Sequence, residues 1–284
     1  MHLPDILLQP HVDQALAEDL GRRGDITSEF IFHGHQHANL AIVSREKGVL
    51  AGIDLARLAF HRIDPATRFT ALAADGSSIH AGQTLATVHG DIRALLTAER
   101  TALNFLTHLS GIASMTATAV AEVASTRARI MCSRKTLPGL RTLQKYAVRA
   151  GGGHNHRMGL DDAVLIKDNH IALAGSLSEA IRRAHAAASE WIAVEVEVDT
   201  LAQLQEALAA GAKLILLDNM STPELRQAVS LCQGRAHSQA SGGIGFARLR
   251  EVAETGVDSI ALGYLTHSSR ALDIGLDYVT EKAT

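Results

Sequence analysis

Aromatic residues are scarce, 4% of 284 residues with a single tryptophan. A surface that reads nucleic acid by stacking bases needs more rings than that. With 27 basic residues against 30 acidic ones, the chain also has no polyanion-binding excess. Two cysteines, Cys132 and Cys232, cannot build a disulfide framework, and no C-x-x-C spacing offers a zinc site. Neither the P-loop pattern nor G-x-G-x-x-G occurs, which removes the two commonest nucleotide fingerprints. No apolar run approaches the length of a membrane span, and the opening MHLPDILLQP has no basic n-region or long apolar core of a signal peptide. What remains, 46% hydrophobic and 20% charged, is the composition of a soluble, cytoplasmic protein with one large domain or two ordinary ones.

Against that background one stretch stands out, Gly151–Ile171, GGGHNHRMGLDDAVLIKDNHI. Its apolar run Ala163–Ile166 reads as a buried strand, and it ends abruptly in Lys167, Asp168, Asn169 and His170. Polar side chains crowded at a buried strand end are costly unless something charged meets them. From Arg134 to Lys167 there are seven Lys/Arg against two Asp, in a chain of net charge −3. A locally basic pocket in a mildly acidic protein points to a small anion.

The first hundred residues mix helices and strands without alternating. A helix is expected over Pro10–Leu20, stopped by Gly21. Ala38–Ser44 and Gly48–Gly52 read as a strand pair around Arg45-Glu46-Lys47. A helix Asp54–Arg62 and strands Phe69–Ala73 and Thr84–Val88 follow. This is an α+β layer. His33, His35 and His37 would share one face of a strand, but no cysteine or carboxylate is supplied nearby, so they read as a solvated edge. Asp91–Ala124 is a long helical region with a break expected at Ser110-Gly111 and a core face of Leu95, Leu96, Leu103, Leu106 and Leu109. Glu99 and Arg100, taken by themselves, read as two solvated helix charges.

From residue 128 the pattern changes to strict alternation. Strands are expected at Arg129–Ser133, Val164–Ile166, Ile192–Val198, Leu214–Leu217, His237–Ala240 and Ser259–Leu262, with helices between them. Such alternation means parallel strands with right-handed crossovers. Each strand ends in polar residues: Arg134-Lys135, Lys167, Glu197, Asp218, Ser241-Gly242-Gly243, and Gly263 with Thr266-His267. Six strand ends feeding one rim describe an α/β barrel better than an open sheet, which gathers its site at a switch point. Glu195 and Glu197 would point into the barrel, Glu197 nearer the rim, with Asp218 at the next rim position. Two neighbouring rim carboxylates suit a Mg²⁺ shared with substrate phosphates. Ser241-Gly242-Gly243 between strand and helix suits a phosphate cradle.

The motifs ERTALN (99–104), SRKT (133–136), NHR (155–157), LIKDNH (165–170), EVEV (195–198), LDN (217–219), SGG (241–243) and LTHS (265–268) occur in that order. Together they resemble the quinolinate phosphoribosyltransferase family, from Glu18-Asp19-Leu20 to Leu272-Asp273-Ile274. The resemblance implies an α/β fold: an N-terminal sandwich domain over residues 1–108, joined by the tail 268–284, and a barrel of six to seven strands over 109–267. It implies quinolinate and phosphoribosyl pyrophosphate as substrates, Mg²⁺ as cofactor, and nicotinate mononucleotide, pyrophosphate and CO2 as products. By the resemblance, Arg134, Lys135, His156, Arg157 and Lys167 surround the two carboxylates of quinolinate. Glu197 and Asp218 handle Mg²⁺ and ribose, with Lys135, Glu197 and Asp218 as the catalytic set. Ser241, Gly242, Gly243, Gly263 and His267 lie near the phosphates. Arg100 reaches into a partner's site, so a homodimer or larger homo-oligomer is implied, which overturns the solvated reading of that residue. Cys132-Ser133, Gln239 and Tyr264 depart from the family's usual Asp-Thr, Glu and small residue, each beside a motif position. Other readings of the same rim are a sister enzyme acting on nicotinate or another aromatic acid, a Schiff-base lyase using a rim lysine, and a relative that binds an aromatic acid without turnover.

Overall fold

The computed structural model describes residues 3–279. The chain forms two compact units, one taking in the residues up to Met115, Arg149–Gly152 and the chain from Ser268 on, the other Thr116–Val148 and Gly153–His267. The 108/109 boundary suggested by the sequence falls inside a continuous helix, Ile92–Val123. No helix among the described residues is long and apolar enough to cross a membrane.

The first unit opens with a helix over Asp5–Leu20, which starts before the expected Pro10 and carries that proline inside at the cost of one backbone bond. A short helix Ile26–Ile31 was not anticipated; Asp25 caps it by accepting from the Ser28 amide at 3.0 Å. The strands here are β1 (His37–Ser44), β2 (Gly48–Val49), β3 (Arg68–Ala71), β4 (Ser78–Ile79) and β5 (Thr84–Asp91). β1 pairs antiparallel with β5, and β5 with β3, while the C-terminal strand Ile274–Tyr278 covers the other edge of β1. The expected pairing around Arg45-Glu46-Lys47 does not form, because β2 pairs with β4 instead. The turn is used to hold the tail. Arg45 forms an ion pair with Asp277, and Glu46 accepts from Arg270 Nη1 and the Asp273 amide, both at 2.8 Å. Of the three expected strand histidines only His37 lies on a strand, and all three are exposed.

The helix Ile92–Val123 is unbroken, a correction to the expected interruption at Ser110-Gly111. Ser110 Oγ meets the Ala51 amide at 3.0 Å, and a Cβ on Gly111 would lie 2.0 Å from the Arg270 carbonyl oxygen. That serine and glycine are there for close packing. The buried stripe runs through Leu95, Ala98, Ala102, Leu106, Leu109 and Ala113 at helical spacing, with Leu96 half-exposed beside it.

The second unit is built on β6 (Arg129–Met131), β7 (Val164–Ile166), β8 (Val194–Val198), β9 (Leu214–Asp218), β10 (His237–Ser241) and β11 (Ser259–Ala261). All pairings are parallel, in the order β6-β11-β10-β9-β8-β7. From β7 to β11 each strand lies beside its sequence neighbour, and β11 pairs with β6. That is the cyclic order of an α/β barrel with one seam, between β6 and β7. At the seam His154 adds a parallel bridge to Met131. Helices Leu177–Ala187, Leu201–Ala209, Thr222–Cys232 and Phe246–Ala253 form the crossovers, and Val196, Ile215, Leu217, Ala240 and Ile260 are at most 1% exposed. Strands covered on both faces need such apolar runs, so the polar residues at their ends mark the rim.

Candidate active site at the barrel rim

A cavity of about 680 Å³ opens at the C-terminal ends of the six strands, within the usual size of a small-molecule site. Arg134, Lys135, His156, Arg157, Lys167, Glu197, Asp218, Ser241, Gly242, Gly243, Gly263 and His267 all line it. Arg100 does not; it is exposed on the helix Ile92–Val123.

One flank is cationic. The Nε–H groups of Arg134 and Arg157 are buried without a hydrogen-bond partner, while Arg157 Nη1 donates to the Ala163 carbonyl at 2.9 Å within the loop before β7. Burial, and next the charge of Arg134, pushes the Arg157 guanidinium below its ordinary range. Two neighbouring guanidiniums with unanswered donors leave a place for an acceptor-rich anion. His156 is held at both ring nitrogens. Its Nδ1 accepts from the Arg157 amide at 2.9 Å, which puts the ring proton on Nε2, 2.8 Å from Glu195 Oε2. Both ring nitrogens are therefore engaged, and His156 shapes the wall with its ring. Glu195 sits two residues below Glu197 and is only 8% exposed, with His156 Nε2 as its hydrogen-bond partner.

The facing flank is acidic. Glu197 on β8 takes an ion pair from Lys167, and Asp218 at the end of β9 accepts from Asn219 Nδ2 at 2.6 Å. Among the described residues no group of three or more His, Cys, Asp or Glu could hold a metal. This carboxylate pair can bind a hard cation only with oxygens from elsewhere. Beside it lies the glycine turn after β10. Gly242 has φ +85°, and a Cβ there would sit 2.3 Å from Asn219 Oδ1 and 2.6 Å from its amide nitrogen, so only glycine lets the two loops meet. Asn219 itself adopts φ 54°, which asparagine tolerates better than most residues. At Gly263 an added Cβ would lie 3.0 Å from Lys135 Cδ and 3.3 Å from His267 Nε2, so this glycine makes room for both side chains.

Gln239 and Tyr264, placed beside the motifs by the sequence, both line the cavity. The period of two along β10 could have revealed Gln239, since it shares the inward face with Ser241. Tyr264 packs its ring on Phe246 with centroids 5.2 Å apart, and its buried hydroxyl has no partner. Burial pushes that hydroxyl up to about 12.

Comparison with known proteins agrees with this architecture. Models of the quinolinate phosphoribosyl transferase N-terminal and C-terminal domains match residues 25–110 and 112–277. The nicotinate-nucleotide pyrophosphorylase (carboxylating) of Mycobacterium leprae is 47% identical, covering 94% of this chain and 95% of its own. A probable enzyme of the same name from Bacillus subtilis is 45% identical, over 92% and 89%. The solved nicotinate-nucleotide pyrophosphorylase of Francisella tularensis superposes with a TM-score of 0.94 at 37% identity, covering 98% of both chains. With two arginines and two carboxylates on one barrel rim, and with residues 25–110 and 112–277 matching the two domain models, the chain belongs to the quinolinate phosphoribosyl transferase family.

Proposed function

We propose that this chain transfers the phosphoribosyl group of phosphoribosyl pyrophosphate to the ring nitrogen of quinolinate and releases CO2, forming nicotinate mononucleotide. Family membership supports the reaction. The observation that carries the substrate is the pair of buried, unpaired Nε–H groups on Arg134 and Arg157. One carboxylate needs one fork; two forks beside Lys135 and Lys167 suit a dicarboxylate. A nicotinate-specific sister enzyme would leave one guanidinium unanswered, at a cost of about 1–3 kcal/mol.

In this reading Arg134 and Arg157 hold the two carboxylates and aim the pyridine nitrogen at the ribose C1 carbon. The nitrogen lone pair forms the new C–N bond as the C1–O bond to pyrophosphate breaks. The ribose passes through oxocarbenium character, which Glu197 and Asp218 stabilise from the facing flank. The backbone around Ser241, Gly242 and Gly243 receives the 5′-phosphate, with Gly263 and His267 beside it. Glycosylation leaves the ring nitrogen positive, so when the C2 carboxylate departs as CO2 its bonding electron pair stays at C2, which then takes a proton from solvent water. Lys135 and Lys167 position the substrates and offset their charge. Glu197 and Asp218 would hold a Mg²⁺ that, when bound, neutralises charge on the pyrophosphate. Lys167 is already paired with Glu197, which favours this electrostatic role over that of a Schiff-base nucleophile.

The chain would work as at least a homodimer, with Arg100 of one subunit completing the site of another. Parallel assays of pyrophosphate release with quinolinate and with nicotinate test the substrate. Turnover with quinolinate and little with nicotinate is expected; equal or preferred use of nicotinate overturns the assignment.

A further inference from the structure

The helix Arg141–Ala150 carries two polar residues that the chemistry leaves unused, Gln144 and Lys145, which are 0% and 1% exposed. A fully buried ammonium is expensive unless its hydrogens are met. Lys145 Nζ donates to the carbonyl of His156 and to that of Arg157, each at 2.8 Å, and the Cys132 sulfur is a further hydrogen-bonding neighbour. Between the His154 bridge and β7 the chain has neither helix nor strand, so no sheet ladder fixes the two residues that present their side chains to the cavity. One ammonium gripping two successive carbonyls sets the peptide between them, and with it the directions in which His156 and Arg157 leave the backbone. Gln144 acts likewise on the neighbouring loops, accepting from the Leu137 amide and donating to the Thr266 carbonyl, both at 3.0 Å.

The geometry points to Lys145 as a positioning residue that holds Arg157 and His156 in register for the aromatic dicarboxylate, acting through their carbonyls and never touching substrate. This rests on the phosphoribosyl-transfer reading of the cavity and adds to it a residue that decides the affinity for one substrate. The glycine turn Ser241–Gly243 is not among the groups Lys145 bonds, so the two substrates respond differently to its loss.

The test is Lys145→Met, which keeps the length of the stem and removes the charge. KM for quinolinate rises about tenfold or more, while KM for phosphoribosyl pyrophosphate stays within about twofold. Calorimetric affinity for phthalate, the benzene dicarboxylate, falls in parallel, and that for inorganic pyrophosphate holds. A purely structural lysine would lower Tm and the active fraction without splitting the two KM values, and that result, or an unchanged KM for quinolinate, overturns the role. Should Lys145→Met fail to fold, Lys145→Gln carries the same test, since the shorter amide reaches at most one carbonyl. A wild-type enzyme that releases no CO2 from quinolinate overturns the reaction instead, and the phthalate titrations of wild type and variant then decide Lys145 by themselves.

Discussion

Arg134 was legible in the sequence because charge standing at the end of an apolar run has few structural uses, whereas Arg157, which precedes its apolar run, entered only through the resemblance to the family. What their neighbours do was not legible. His156 is next to Arg157 in the chain, yet its ring is tied to Glu195, 39 positions on, by a contact that only barrel closure creates. Lys145 was invisible for the same reason: an amphipathic helix hides a buried lysine among exposed ones until the tertiary partners are known. Tyr264 gives a prediction at this scale. Its hydroxyl is buried without a partner, so it carries a desolvation cost with no return, and Tyr264→Phe should leave stability unchanged or raise it by about 1 kcal/mol. Chemical denaturation of the two proteins checks this. A clear loss of stability would mean that the hydroxyl is bonded in solution.

At the level of elements, alternation gave the barrel strands and crossover helices nearly in place, because a strand covered on both faces must be apolar and its rim end need not be. The failures have physical causes. Glycine in a helix costs about 1 kcal/mol relative to alanine, so Ser110-Gly111 looked like a break. Its packing against the Arg270 carbonyl outweighs that cost. Gly111→Ala should therefore destabilise the protein by about 2 kcal/mol or more despite its better helix propensity; a rise in Tm would contradict the contact. The loop before β7 supplies a pH prediction. Burial alone would raise the Asp162 carboxyl, but the amides of Met158 and Gly159 and the charge of Lys145 hold it below the ordinary range. A carboxyl depressed in the folded state stabilises above its unfolded value, and the gain is lost as pH falls through the folded one. Asp162→Asn should lower stability at neutral pH and flatten the acid limb of a Tm-against-pH curve; an unchanged acid limb would remove Asp162 from the account.

For the molecule as a whole, the sequence conveyed two units of different construction, since mixed elements give way to strict alternation. The return of the tail to the first unit came only through the family resemblance, and its pairing with β1 through Ile274–Tyr278 not at all, because antiparallel partners more than two hundred residues apart leave no local signal. Arg100 is exposed and is not among the residues lining the cavity, and the proposal that it completes the site of a second copy can be tested directly. Mixing inactive Arg100→Ala with inactive Lys135→Ala should restore activity, because a mixed dimer then has one site with both residues intact. No recovery, with exchange of subunits shown by mass, would mean that each chain works alone. A dicarboxylate gripped by two guanidiniums on a rim that also carries two carboxylates is the central claim, and CO2 release from quinolinate labelled at the 2-carboxyl measures it most directly. Label should appear only when phosphoribosyl pyrophosphate is present and should match the pyrophosphate formed one for one. Release without phosphoribosyl pyrophosphate, or none in its presence, would contradict the account.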